Sequence, residues 1–274
     1  MKKGQASPSL LLCDVGNSNL KLAFADHERL LAVHSLPSRS GETQDSLGLA
    51  IAALMAHDGV DAGALEACVA ASVSPALDPI LKGAVERYAG CPVFFTPRDL
   101  PLPIENKYPR PHETGADRLV CAWAASRLFP DEQSIVVVDF GTAATFDCVS
   151  GGAFLGGLIF PGPGIAAMAL AQNTAKLPPV NFDFSDQEPR ICVDTATSIQ
   201  HGIIFGYKHL VEGLCGSLAA SLPGRAKIVG TGAFASALAR ISGVFDLVAP
   251  ALALDGLRDL YYTEKPGGLP AGRA

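Results

Sequence analysis

Two short apolar runs, placed about half the chain apart, end in the same way. Leu10-Leu11-Leu12-Cys13 runs into Asp14-Val15-Gly16-Asn17-Ser18, and Ile135-Val136-Val137-Val138 runs into Asp139-Phe140-Gly141-Thr142. Each is followed at once by a second apolar or alternating run, Leu20 to Ala25 and Thr145 to Val149. Each copy therefore reads as a β-hairpin with a tight glycine turn and an aspartate at the end of its first strand. A repeat at half-length predicts two related domains, each opening on this hairpin. At roughly 150 residues per domain, a chain of 274 residues has room for both.

Around the hairpins, strand and helix patterns alternate. Strands are predicted at 68–72, 93–96 and 227–229, and helices at 45–57, 78–89, 116–129, 196–220 and 233–242. That order predicts an α/β architecture with helices packed on sheets. From Cys148 to Ala175 the chain carries no charge. Its glycines and prolines, as in Pro161-Gly162-Pro163-Gly164, read as turns and close backbone approach rather than as a membrane helix. The segment is also too apolar to be wholly solvent-facing, which points to a homodimer interface.

Composition excludes some classes of function. The formal net charge of -6 argues against a nonspecific nucleic-acid binder, which needs a basic surface. The seven cysteines are odd in number and show no CxxC spacing, so they read as free thiols in a reducing, cytoplasmic setting. There is no GxxxxGK[ST] motif.

The hairpin turns suit phosphate. Gly16 lets the backbone approach an anion, and the N–H groups of Asn17, Ser18 and Asn19 can point at its oxygens. Asp14 can hold magnesium directly or through water. One copy alone would be an ordinary polar turn; two copies favour a nucleotide clamp. Gly115-Ala116-Asp117-Arg118 opens a helix, where the dipole favours anions. Asp117 could take a proton from a hydroxyl, and Arg118 could grip a carboxylate. Taken alone, this motif reads more economically as an acid supporting its own helix, with Arg118 in a surface ion pair. Gly230-Thr231-Gly232-Ala233-Phe234-Ala235 resembles a dinucleotide fingerprint, but too little chain follows it for such a domain. A close approach of its backbone to a nucleotide is the better use.

Taken in order, the motifs resemble those of type III pantothenate kinases, a family that catalyses the first step of coenzyme A synthesis. The matching stretches are DVGNS at Asp14, YPRPHETGADRL at Tyr108, DFGTAATFD at Asp139, GGLIFPG at Gly156, NTAKLP at Asn173 and TATSIQHG at Thr195. The resemblance implies an acetate and sugar kinase/Hsp70/actin-like fold. Its two ribonuclease H-like domains would be 9–127 and 128–262, with ATP in the cleft and a flexible tail at 263–274. It implies phosphorylation of the pantothenate primary hydroxyl, with Mg2+ and a monovalent cation, K+ or NH4+. The first phosphate loop falls on Asp14-Val15-Gly16-Asn17-Ser18-Asn19-Leu20-Lys21, and a second ATP contact on Thr142. Asp117 falls on the general base and Asp139 on the monovalent-cation ligand. Pantothenate contacts fall on Tyr108, Gly115, Ala116, Asp117, Arg118 and Thr195. Family members are homodimers.

Two departures stand out. Thr231-Gly232-Ala233 replaces the family's TGG, and Arg110 lies where a small polar residue is common. Rival readings are a nucleotide-binding regulatory homologue without turnover, a kinase for another small hydroxyl substrate, and an oxidoreductase built on Gly230 to Ala235. Asp14 and Asp117 are both present, which argues against the first of these.

Overall fold

A computed structural model describes residues 8–38 and 41–264. The chain divides into two compact units. The first holds the described residues up to Pro103, the short stretch Gly115–Val120, and the C-terminal part from Ala253.

In the first unit, β1 (Leu10–Val15), β2 (Asn19–Ala25) and β3 (Leu30–Pro37) form an antiparallel meander. Helix α1 (Gln44–Asp58) then leads to β4 (Ala67–Ser72), which pairs parallel with β1. Helix α2 (Asp78–Tyr88) leads to β5 (Val93–Thr96), parallel to β4. The sheet order is β3-β2-β1-β4-β5. Leu10, Leu11, Leu12 and Cys13 are all fully buried, because a central strand covered on both faces needs an unbroken apolar run. Thr43 starts α1 with a capping box, in which the Ser46 N–H donates to Thr43 Oγ1 and the Thr43 N–H donates to Ser46 Oγ. Ile51 and Met55 of α1 and Leu81 and Val85 of α2 pack into one core with Leu11, Cys13, Leu22 and Phe24. Gly115–Val120, which includes the start of α3 (Ala116–Leu128), also belongs to this unit. So does nearly all of the last helix, Leu252–Glu264, where Tyr262 shares a hydrogen bond with Ser9.

The second unit repeats the plan. β7 (Ser134–Phe140), β8 (Ala143–Ser150) and β9 (Ala153–Pro161) form an antiparallel meander. Helices α4 (Pro163–Asn173) and α5 (Thr195–Ala220) precede β10 (Ala226–Gly232), which is parallel to β7. A short α6 (Ala235–Leu238) precedes β11 (Leu247–Val248), parallel to β10. The order β11-β10-β7-β8-β9 matches that of the first unit, and β6 (Glu105–Asn106) is added beyond β9. The two sheets thus share one plan, as the repeated hairpin predicts, and its ribonuclease H-like topology is the one that the family resemblance implies.

Some local expectations are corrected. The helix expected over 233–242 shrinks to α6, because β10 continues through Gly232, paired with Phe140, and the chain past Leu238 tightens into three-residue turns. The charge-free segment contains β9 and α4 as well as turns. Gly151 and Gly152, both at positive φ, make the β8–β9 hairpin, and Gly157 passes so close to Phe146 that a Cβ would lie 1.8 Å from its carbonyl oxygen. No described helix is long and apolar enough to cross a membrane. Of the expected tail, Thr263 and Glu264 end the last helix, and 265–274 lies outside the described residues.

Candidate active site

In the first unit, β1 and β2 are joined by the turn that starts at Gly16, whose N–H donates to the Asn19 carbonyl at 3.0 Å. Asp14 is partly buried and accepts a 3.4 Å bond from Lys21 Nζ across the hairpin. Asn17, Ser18 and Asn19 are exposed at the tip. Val15 and Leu20 are buried in the core, so any contact they offer a ligand is made by backbone. Gly16 has no room for a side chain, since a Cβ would meet the Asn19 carbonyl at 2.9 Å.

The same unit holds Asp117 and Arg118 on the first turn of α3. The Arg118 N–H donates to Asp117 Oδ1 at 2.8 Å, which fixes the carboxylate against its own helix start. Gly115 backs it closely, with a Cβ there falling 2.4 Å from that oxygen. Burial is the main cause that raises the Asp117 carboxyl above its ordinary range, and the Asp14 carboxylate raises it further. The Arg118 side chain and the helix-start donors oppose this without cancelling it. Desolvation thus outweighs the hydrogen bonds that the start of the helix gives to Asp117. Arg118 is 8% exposed, so it is not a surface ion pair.

In the second unit, Asp139 ends β7 as Asp14 ends β1, and the Gly141 N–H donates to the Ala143 carbonyl at 3.0 Å. Thr142 sits half-buried at this turn, and its carbonyl accepts from the Gly162 N–H at 2.9 Å. Gly232, at φ 85°, packs on the Asp139 carboxylate, and a Cβ there would fall 2.4 Å from Oδ1. Gly230 faces the Phe245 ring. Packing within the unit thus requires glycine at both of these fingerprint positions. The four-residue α6 is no helix on which to seat a pyrophosphate, which removes the basis of the oxidoreductase reading. Ala233, the departure from TGG, is exposed.

Tyr108 stacks on Phe154, with ring centroids 5.9 Å apart, and lies over Gly156, where a Cβ would meet its ring at 2.7 Å. Its loop is organised by Asn106, whose Oδ1 accepts from the Tyr108 N–H and whose Nδ2 donates to Thr114 Oγ1. Arg110 is exposed and pairs with Glu113 at 2.9 Å. Thr195 is exposed on the first turn of α5, next to its N-cap Asp194. Thus the first unit brings Asp14, Lys21, Gly115, Asp117 and Arg118 together, and the second gathers Asp139 and Thr142 at one turn.

Sequence reasoning gave no part to Asn106, which orders the Tyr108 loop, or to Asp147 at the end of the DFGTAATFD stretch. Asp147 is 1% exposed and accepts from Thr145 Oγ1 at 3.1 Å, and Thr145 lies directly opposite Asp139 in the sheet. The signal was present as an acid in the middle of an apolar strand. The donors suit hard cations. Asp139 Oδ1 is buried in the hollow over Gly232, and Asp14 offers a partly shielded carboxylate at a strand end. Among the described residues, no cluster of three or more His, Cys, Asp or Glu forms an all-protein cage.

The family model described as type III pantothenate kinase matches residues 10–217. A protein of Desulfovibrio desulfuricans named type III pantothenate kinase is 52% identical over 94% of this chain and 98% of its own length. One of the same name from Oleidesulfovibrio alaskensis is 49% identical over 92% of this chain and 95% of its own. Among solved structures, a putative 2-dehydro-3-deoxygalactonokinase of Sinorhizobium meliloti superposes with TM-score 0.58 at 14% identity, covering 95% of this chain and 98% of that one. That likeness concerns the fold, an acetate and sugar kinase/Hsp70/actin-like one, while the sequence matches reach further. With a family model spanning most of its length and relatives near half identical, the chain belongs to the type III pantothenate kinase family.

Proposed function

We propose that Asp117 is the general base in an ATP-dependent phosphorylation of pantothenate, the activity of the family. The observation that carries this reading is the environment of Asp117. A carboxyl whose proton affinity is raised by burial and by Asp14 is a stronger acceptor than an ordinary aspartate, and it sits beside a buried arginine. As the pantothenate primary hydroxyl attacks the terminal phosphorus of ATP, its oxygen forms the new P–O bond. Its proton passes to an Asp117 carboxylate oxygen, and ADP leaves with the electrons of the broken bond. Arg118 holds the pantothenate carboxylate, with Tyr108, Gly115, Ala116 and Thr195 as further substrate contacts.

The first turn, Asp14 to Lys21, supplies backbone N–H groups and the Lys21 ammonium to the phosphates, and Thr142 supplies a further ATP contact. Magnesium at Asp14 and a monovalent cation at Asp139 would offset charge on the transferring group. The rest is positioning, which is most of what phosphoryl transfer asks of a protein.

The protein acts as a homodimer in this reading. What supports it is the exposed apolar side chains of β9 and α4, among them Ile159 at 64% and Met168 at 50% exposure. Its seven free thiols and its use of ATP suit the cytoplasm. The deciding experiment is a coupled assay with ATP, pantothenate, magnesium and potassium, run on the wild type and on Asp117→Asn. Pantothenate-dependent ADP release that collapses in the variant is the expected result. Undiminished release in the variant would overturn the base assignment.

A further inference from the structure

The two units close their glycine turns differently, and the difference falls on one side chain. In both, the strand that follows the hairpin ends in a proline opposite the turn: Asn19 pairs with Pro37, and Ala143 pairs with Pro161. In both, the residue after that proline donates its N–H back to the turn at 2.9 Å, Ser38 to the Ser18 carbonyl and Gly162 to the Thr142 carbonyl. Here the likeness stops. The second turn approaches Gly162 so closely that a Cβ there would lie 2.3 Å from the Gly141 carbonyl oxygen. The first turn is a residue longer, since Gly16 bonds to Asn19 where Gly141 bonds to Ala143. The space this opens is filled by Ser38, whose Oγ donates to the Gly16 carbonyl at 2.8 Å.

We propose that Ser38 is a positioning residue for ATP, one that aims the Asn17 N–H at a phosphate without touching the nucleotide itself. This rests on the reading that the first turn binds ATP phosphates. A trans peptide is planar, so its carbonyl and the following N–H point in opposite directions. Holding the Gly16 carbonyl through Ser38 Oγ therefore sets the direction of the Asn17 N–H. The Ser38 backbone does the same for the Asn19 N–H through the Ser18 carbonyl. Asn17, Ser18 and Asn19 are exposed at the tip of the turn, and an exposed glycine-flanked peptide would otherwise rotate freely. Removing the hydroxyl leaves the backbone bond in place and frees only the Gly16–Asn17 peptide.

The test is steady-state kinetics with a separate ATP titration on Ser38→Ala, Ser38→Thr and Gly16→Ala, with melting curves for each. Ser38→Ala is expected to weaken ATP binding and raise its KM about threefold to tenfold, the span of one lost neutral hydrogen bond. The KM for pantothenate and the melting temperature should stay near wild type, and Ser38→Thr should recover ATP binding. If Ser38→Ala leaves ATP binding unchanged while Gly16→Ala weakens it, the proposal falls and the phosphate-turn reading stands. If neither variant affects ATP, both fall. An equal rise in both KM values with a lowered melting temperature, or a Ser38→Thr no better than Ser38→Ala, would mark Ser38 as merely structural.

Discussion

The Asp14 carboxylate raises the proton affinity of Asp117, although one residue ends the first strand of the chain and the other opens its third helix. Burial contributes more to the shift, but the like charge ties the first glycine turn to the carboxyl proposed as the general base. A bound cation at Asp14 would weaken that coupling, so the basicity of Asp117 responds to what occupies the turn.

Asp117→Asn should cut turnover about 10²-fold or more, the usual scale for loss of a general base. A carboxyl with a raised pKa gives stability that is fully present below its unfolded pKa and is lost as pH rises through its folded pKa. The uncharged amide of the variant has no such pH dependence. Melting curves recorded over a pH series should therefore show the wild type losing stability relative to Asp117→Asn as pH rises.

With Asp117 as the proposed base, which acts only when ionised, the acid limb of kcat/KM for pantothenate should lie above the ordinary aspartate range. In Asp14→Asn the residual activity should show that limb moved to lower pH, since the like charge is gone. It should stay above the ordinary range, because burial is the larger cause. A pH–rate profile of both proteins checks this, and an unmoved limb would disconnect the two carboxylates.

Arg118→Ala should weaken pantothenate binding by about 1.5–3 kcal/mol, the worth of a hydrogen bond to a charged group, and affect ATP much less. Because Arg118 is buried, a melting curve must accompany the kinetics.

Gly232→Ala should act through Asp139. Its methyl would fall 2.4 Å from the carboxylate oxygen and 2.7 Å from the Phe140 nitrogen, at a positive φ that an alanine resists. Overpacking of this kind costs about 1–3 kcal/mol, so a lowered melting temperature is expected. Titration with potassium chloride should also show a higher half-saturating concentration. Wild-type activity should be greater in potassium or ammonium than in sodium alone.

Sedimentation at micromolar concentration should give twice the chain mass of 28.4 kDa. Ile159→Asp, which puts a charge on the exposed face of β9, should shift the protein toward the monomer.

Much of this was written locally. The unbroken apolar runs at Leu10 and Ile135, each closed by Asp-x-Gly, determine two central strands and two tight turns, because strand burial and turn chemistry depend on neighbouring residues. The motif order from Asp14 to Thr195 was likewise enough to name the family. Tertiary structure decided what local pattern cannot carry. Proline and glycine around 161–164 concealed α4, whose start they in fact make, with Pro163 at its first turn. Continued pairing of β10 with β7 shortened the helix expected after Gly232. Arg118 reads as a surface residue in its own helix and is buried by the rest of the unit. The proton affinity of Asp117, the brace from Ser38 to Gly16 and the hollow that Gly232 leaves for Asp139 all join residues far apart in the chain. Desolvation and close packing act through space, so these relations came into being only when the sheets were assembled.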